Sequence, residues 1–249
     1  MIDGRAPVEA FDEIDSTILE ARRRAQRGEL SPVWLLARRQ TVGRGRRGRA
    51  WLSFDGNLLA TYLSATDRAP ADIALLGFAT GVAIAETIES YLGRGGVTLK
   101  WPNDVRIDGA KVAGILIESG ALAGGASWLA LAFGVNLVAA PKAIDQPTIS
   151  LRQALPPDAI APDVAAFFAN LRPRLEFLAG RLAVEGFEPV RRSWLSRAEG
   201  LGREIRIHAG SEILDGRMAG LSPRGELELD AAEGRRLIAA GDVFFPQSA

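Results

Sequence analysis

The chain has no cysteine and a single histidine, His208, among its 249 residues. Without thiols there is no disulfide framework, no thiolate nucleophile and no cysteine-held metal. One histidine excludes a histidine-based metal site and a Ser-His-Asp triad. Net charge is missing too, because thirty basic side chains balance thirty acidic ones. No global field therefore draws the surface to nucleic acid or to a membrane. Lysine is scarce: Lys100, Lys111 and Lys142 stand beside 27 arginines. Catalysis is left to Lys, Arg, Asp, Asn and backbone amides. The chain opens without a basic segment leading into an apolar one, so no signal peptide is expected. The longest apolar-looking window, residues 73–88, is broken by Gly77, Gly81 and Glu86 and is too short to span a bilayer. The expectation is a cytoplasmic enzyme.

What is present is ordinary globular composition, 47% apolar and 24% charged. That length holds one large domain, or one with a small appendage. The chain is organised around residues 40–51, Gln40-Thr41-Val42-Gly43-Arg44-Gly45-Arg46-Arg47-Gly48-Arg49-Ala50-Trp51, where four arginines and three glycines fall in seven consecutive positions. So much glycine disfavours both helix and packed strand, because each one adds backbone entropy and buries no side chain. The segment reads as a mobile loop. Guanidinium forks match carboxylate and phosphate oxygens, and glycines admit close backbone approach, so the natural ligand is a small polyanion. A solvated basic loop and an arginine-rich nucleic-acid patch are the alternatives.

Around this loop the chain alternates helix and strand. Asp15-Ser16-Thr17 reads as the N-cap of a helix ending near Arg27, with Glu20 in its first turn and Gly28 as its stop. Residues 33–37 form a buried strand feeding the loop, and residues 57–63 its partner. Residues 72–92 carry apolar side chains at helical spacing and close on Gly93. Residues 97–107 then run through Asp108-Gly109 into residues 111–118, a hairpin signal. Pro102 interrupts the first run and is expected to free Asn103 and Asp104 from the ladder. Two of the three lysines, Lys100 and Lys111, sit beside this Asn-Asp pair, where an ammonium suits a single anionic centre; a plain surface role is the alternative for either. Residues 121–126 form a Gly/Ala loop, 127–133 a strand ending at Gly134-Val135-Asn136, and 141–162 a proline-rich surface stretch. A helix at 163–185 is expected to kink at Pro173, and a short one follows at 191–199. From residue 200 short strands (204–208, 213–221, 226–229 and 237–244) imply a small barrel docked on the larger domain.

The loop motif, Lys100-Trp101-Pro102-Asn103-Asp104, Lys111-Val112-Ala113-Gly114-Ile115-Leu116-Ile117-Glu118 and Gly134-Val135-Asn136 together resemble the signature set of biotin protein ligases over residues 11–245. The resemblance implies an α+β fold: a mixed-sheet biotin/lipoate ligase-like catalytic domain at residues 1–199 and an SH3-like β-barrel at 200–249. It implies that biotin and ATP, with Mg2+, form biotinyl-5′-AMP. A lysine of a biotin carboxyl carrier domain then attacks that mixed anhydride. Ser16, Thr17, Gln40, Thr41, Gly43, Gly45, Arg46, Arg47, Lys111 and Gly114 would bind biotin. Arg44, Arg46, Arg49, Trp51, Asn103, Lys111 and Asn136 would bind ATP and the adenylate, with Trp51 stacked on adenine. Lys111, Arg46 and Asp104 would carry catalysis, Asp104 by placing or deprotonating the acceptor amine, and no residue is assigned as a metal ligand.

Ile18 departs from the family, which often places Asn there. About ten residues precede the first motif, which leaves no room for the DNA-binding domain of repressor members. The expected partners therefore include no DNA and no membrane, and a homodimer is allowed. A lipoate-protein ligase is the alternative enzyme, and a nucleic-acid-binding module the alternative outside enzymes.

Overall fold

The computed structural model describes residues 2–122, 126–142 and 146–245. Parts of the expected Gly/Ala loop and proline-rich stretch, and the last residues of the expected second domain, lie outside these.

Seven strands form a mixed sheet: β1 (Val8–Ile14), β2 (Val33–Gln40), β3 (Leu58–Thr66), β4 (Val97–Lys100), β5 (Asp104–Ile107), β6 (Ala110–Ala121) and β7 (Ser127–Val135). Their order is β1-β2-β3-β7-β6-β5-β4. Only the β1–β2 pair is parallel, and helix α1 (Thr17–Gln26) is the crossover such a pair requires. One face of the sheet packs on α1 through Ile18, Ala21, Ala25, Leu35, Leu63, Ala130 and Ala132. The other face carries α2 (Pro70–Leu92), α4 (Val164–Val184) and α5 (Glu188–Leu195). Strand alternation divides the two cores, with Leu63 on one side and Tyr62 on the other.

Helix α2 begins with Pro70 in its first turn and ends on Gly93 at φ 63°, the left-handed position that glycine tolerates. By length and composition α2 could cross a membrane, but 72% of its most apolar window is buried inside the protein. It is the central core helix. Helix α4 is capped by the Asp163 carboxylate, which accepts from Ala166 N, and runs through Pro173 without a break.

The second sheet is antiparallel and contains β8 (Glu204–Ala209), β9 (Glu212–Leu221), β10 (Leu227–Ala231), β11 (Gly234–Ile238) and β12 (Asp242–Phe244), in the order β11-β10-β9-β8-β12. Residues 237–244, expected as one strand, are therefore divided. Leu237 pairs with Glu228, whereas Asp242 pairs with His208 at the opposite edge. The reversal between them, Ala239-Ala240-Gly241, carries nothing that periodicity registers.

Other expectations also needed correction. Residues 97–107 are a tight hairpin, β4 against β5, reversing at the cis Trp101–Pro102 bond. Asp104 is not freed from the ladder: it pairs with Lys100 on one side and Gly114 on the other. Strand β1 is exposed along most of its length, so it lacks the apolar signature of a buried strand. A one-turn helix, α3 (Leu151–Ala154), sits inside the proline-rich stretch with a Ser150/Gln153 capping box.

Candidate active site

A cavity of about 400 Å³ opens between the first sheet, residues 44–52 of the Arg/Gly loop and strand β12. Its wall includes Ser16, Thr17, Gln40, Arg44, Gly45, Arg46, Arg49, Trp51, Asn103, Asp104, Lys111, Gly114 and Asn136. Thirteen of the sixteen residues expected from sequence thus converge, from positions up to 120 residues apart. Thr41, Gly43 and Arg47 are not in the wall. Thr41 N continues the ladder to Ile14 O at 2.9 Å, Gly43 O accepts from Trp51 N at 2.9 Å, and Arg47 pairs with Asp242 at 2.9 Å.

One end of the cavity is the N-terminus of α1. Ser16 holds the N-cap position, but its side chain makes no capping bond. Instead, Gln40 Oε1 accepts from Thr17 N at 2.7 Å and Thr17 Oγ1 at 3.0 Å, and Thr61 Oγ1 donates to Thr17 Oγ1 at 2.8 Å. The end of β2 thus caps α1 from another strand, an arrangement that local sequence cannot announce. Ile18 faces the α1 core and the cavity, so this position is an apolar wall.

The floor is built by two glycines. Gly114 of β6 pairs directly with Gly134 of β7, and the Trp51 indole lies on both. A Cβ on Gly114 would stand 3.0 Å from Trp51 Cζ3. The Lys111 ammonium is 5.5 Å from the same ring and 2.7 Å from Asp104 Oδ1. The loop returns on itself through Gly45 N to Arg49 O at 2.7 Å, with a single 3-10 turn over Arg46–Gly48 and Arg47 at φ 54°. Arg46 donates to Asn103 Oδ1 at 3.1 Å, and Asn103 Nδ2 to Ile115 O at 2.9 Å. Burial pulls the Arg46 guanidinium below its ordinary value. Arg49 reaches Asp242 at 2.9 Å. Burial alone would raise the Asp242 carboxyl, but the Arg49 hydrogen bond and the charges of Arg49, Arg47 and Arg46 hold it low.

Two buried polar atoms in the wall, Trp51 Nε1 and Gln146 Oε1, have no hydrogen-bond partner among the described residues. Such orphans each cost about 1–3 kcal/mol, which a polar ligand would relieve. Asn136 is already engaged, its Nδ2 on Ile149 O at 3.4 Å and its Oδ1 accepting from Asn57 at 3.4 Å. Sequence reasoning missed Asn57, whose Oδ1 takes the backbone N–H groups of Leu137, Val138 and Ala139. It missed Gln146 and Thr148, and also Asp242, Val243 and Phe244, which the second sheet contributes to the wall. No motif flags these: Thr148 enters because its segment runs beside Lys111, and Asp242, Val243 and Phe244 enter only when the two sheets dock.

The arrangement offers a cluster of cations, an ion-paired lysine and a glycine floor to a ligand with an anionic centre. No group of His, Cys, Asp or Glu able to hold a metal ion occurs among the described residues.

Comparison with known proteins places this geometry. Residues 11–136 match the model of the Biotin/lipoate A/B protein ligase family, and residues 200–245 match the Biotin protein ligase C terminal domain. A biotin--[acetyl-CoA-carboxylase] ligase of Paracoccus denitrificans is 36% identical over 93% of this chain and 97% of its own. The bifunctional ligase/repressor BirA of Escherichia coli is 30% identical over 78% of this chain and 60% of its own. A biotin protein ligase from Aquifex aeolicus, solved in complex with biotin and ATP, superposes with a TM-score of 0.79 at 26% identity, covering 97% of this chain and 99% of its own. With a family model spanning half of its length and a relative above 30% identity matched nearly end to end, the chain belongs to the biotin/lipoate A/B protein ligase family.

Proposed function

We propose that this chain is a biotin protein ligase, which activates biotin as biotinyl-5′-AMP and transfers it to a lysine of a biotin carboxyl carrier domain. The observation that carries the reading is the convergence on one cavity of the Arg/Gly loop, the Lys111–Asp104 pair and the α1 N-terminus. Joining a carboxylate to a phosphate brings like charges together, so the site has to be cationic and shielded from water.

In this reading the ureido ring of biotin lies at Ser16, Thr17 and Gln40. Gln40 spends its carbonyl on Thr17, which leaves its amide as the donor for the ligand. The valeryl chain crosses the Gly114 floor toward Lys111. Lys111 bridges the biotin carboxylate and the α-phosphate and stabilises the charge that gathers in the pentacoordinate transition state, with Arg46 beside it. The carboxylate oxygen attacks the α-phosphorus, the bond from that phosphorus to the β-phosphate oxygen breaks, and pyrophosphate leaves; Mg2+ brought by the nucleotide would offset phosphate charge. Arg44 and Arg49 hold the phosphates, Asn103 and Asn136 line the nucleotide, and Trp51 leaves its glycine seat to cover adenine. In the second step the acceptor amine must be neutral, and in this reading Asp104 takes its proton. AMP then departs as the amide forms.

The same reading divides the chain at residues 199/200 into catalytic and C-terminal domains, places it in the cytoplasm, and allows the exposed edge strand β1 to pair between two copies. The test is exchange of pyrophosphate into ATP by purified protein with biotin, with lipoate or with neither. Exchange that requires biotin supports the reading. Exchange with lipoate alone moves the chain to the lipoate branch of its family, and no exchange with either overturns the reading.

A further inference from the structure

Lys100 is one of three lysines in the chain. It ends β4 and lines the cavity on the side closed by β12. Of the other cations there, Lys111 pairs with Asp104 and Arg49 with Asp242, Arg46 donates to the neutral amide oxygen of Asn103, and Arg44 has no ion pair among the described residues. No carboxylate lies within ion-pair distance of Lys100 among the described residues. What touches its ammonium is aromatic, the ring of Phe244 at 5.9 Å and that of Phe245 at 5.6 Å. Contacts at that range offset little of the loss of water around a half-buried ammonium. Burial pulls its pKa down and the Arg106 and Lys111 charges add to this, while the more distant Asp104 and Glu199 carboxylates pull it back only in part. Lys100 is cross-strand from Asp104, so it stands one strand spacing beyond the carboxylate that holds Lys111.

A ligand that brings several negative charges past Lys111 would supply an anion in direct contact. Biotin carries one carboxylate, and Lys111 and Arg46 suffice for it. The adenylate carries one phosphate, already matched at the same place. Only the leaving half of the nucleotide extends further. We infer that Lys100 binds the β- and γ-phosphates of ATP and steadies pyrophosphate as it leaves, acting in the first half-reaction and not in the second. The inference rests on the biotin ligase reading above.

The experiment separates the two half-reactions. Wild type, Lys100→Met and Lys100→Arg are assayed for biotin-dependent pyrophosphate exchange. They are then assayed for transfer from preformed biotinyl-5′-AMP to a purified carrier domain, with thermal melting of each variant. Lys100→Met keeps the aliphatic stem and removes the charge, and is expected to raise the KM for ATP and for pyrophosphate about ten- to hundredfold, the range of a lost charge-assisted hydrogen bond. The KM for biotin and the rate of transfer from preformed adenylate are expected to stay within about twofold of wild type, and Lys100→Arg to restore most of the exchange. Equal loss in both half-reactions with a lowered melting temperature would show that Lys100 only docks the second sheet, and would overturn the inference. Unchanged exchange in Lys100→Met would overturn it too. Absence of biotin-dependent exchange in wild type would instead overturn the parent reading.

Discussion

Gly134→Ala tests the glycine floor. A Cβ at this position would lie 2.4 Å from Trp51 Cε2 and 2.6 Å from both Cζ2 and Nε1. Ordinary carbon contacts fall near ~3.5–4.0 Å, so the indole has to retreat by roughly 1 Å or more. Residue 134 is in regular strand, paired to Gly114 and Leu59, so the sheet cannot yield easily. Holding the ring in place would cost about 1–3 kcal/mol of overpacking. Against this, the loop is held by the Gly45–Arg49 and Trp51–Gly43 backbone bonds and by exposed ion pairs to Asp242, each of the latter contributing at most about 1 kcal/mol. Releasing the loop is the cheaper outcome. In the ligand-free variant, the amides of Gly45, Arg49 and Trp51 should exchange hydrogen faster than in wild type, while those of β6 and β7 keep their protection and the melting temperature moves by only a few degrees. The KM for biotin should rise, because the new methyl stands in the cavity. Wild-type exchange at those three amides together with wild-type kinetics would refute this account of the floor.

Other outcomes follow from the same geometry. Lys111→Ala should lower adenylate formation by about 10²- to 10³-fold, as loss of an oxyanion donor does, with the fold retained by circular dichroism; wild-type rates would end its assigned role. Gln40→Ala leaves the buried Thr17 N–H without its acceptor, so stability should fall by about 1–3 kcal/mol in denaturant melts and the biotin KM should rise. Glu9 and Asp15 are held below the usual carboxylate range chiefly by hydrogen bonds from Arg24 and Arg23; Glu20 is also lowered, because bonds from both arginines outweigh its burial. A depressed folded pKa stabilises above the unfolded value and loses that contribution as pH falls through the folded one, so melting temperature should be level above about pH 5 and drop below about pH 4. Arg24→Met should flatten that acid limb; an unchanged limb would count against the network. Within the ligand-free loop, amide exchange at Arg44, Arg47 and Gly48 should be fast, which direct measurement can contradict.

Much of the fold was legible because its signals are local. Apolar spacing over residues 72–92, the left-handed requirement at Gly93 and the Asp108-Gly109 turn are properties of a few neighbouring side chains, and the elements formed where these stood. Much of the cavity lining was legible for a different reason: its charges and glycines are grouped in short motifs. The Arg/Gly loop, the Lys100 to Asp104 run and Gly134 to Asn136 could be named before any geometry was known.

What stayed hidden depends on partners distant in the chain. Gln40 replaces the Ser16 side chain as the cap of α1 because β1 and β2 run parallel and bring the end of one strand over the start of the crossover helix. Gly114 and Gly134 become one floor because β6 and β7 pair in a register that sets them opposite each other. Asp242 and Phe244 enter the cavity because residues 239–241 carry the chain to the far edge of the second sheet, which then docks on the first. The sequence by itself determined which residue types were available to bind an acyl phosphate and where the helices and turns begin. Tertiary structure decided which charges are neutralised before a ligand arrives and which, like Lys100, are left waiting, because pairing depends on distance and burial that only packing sets.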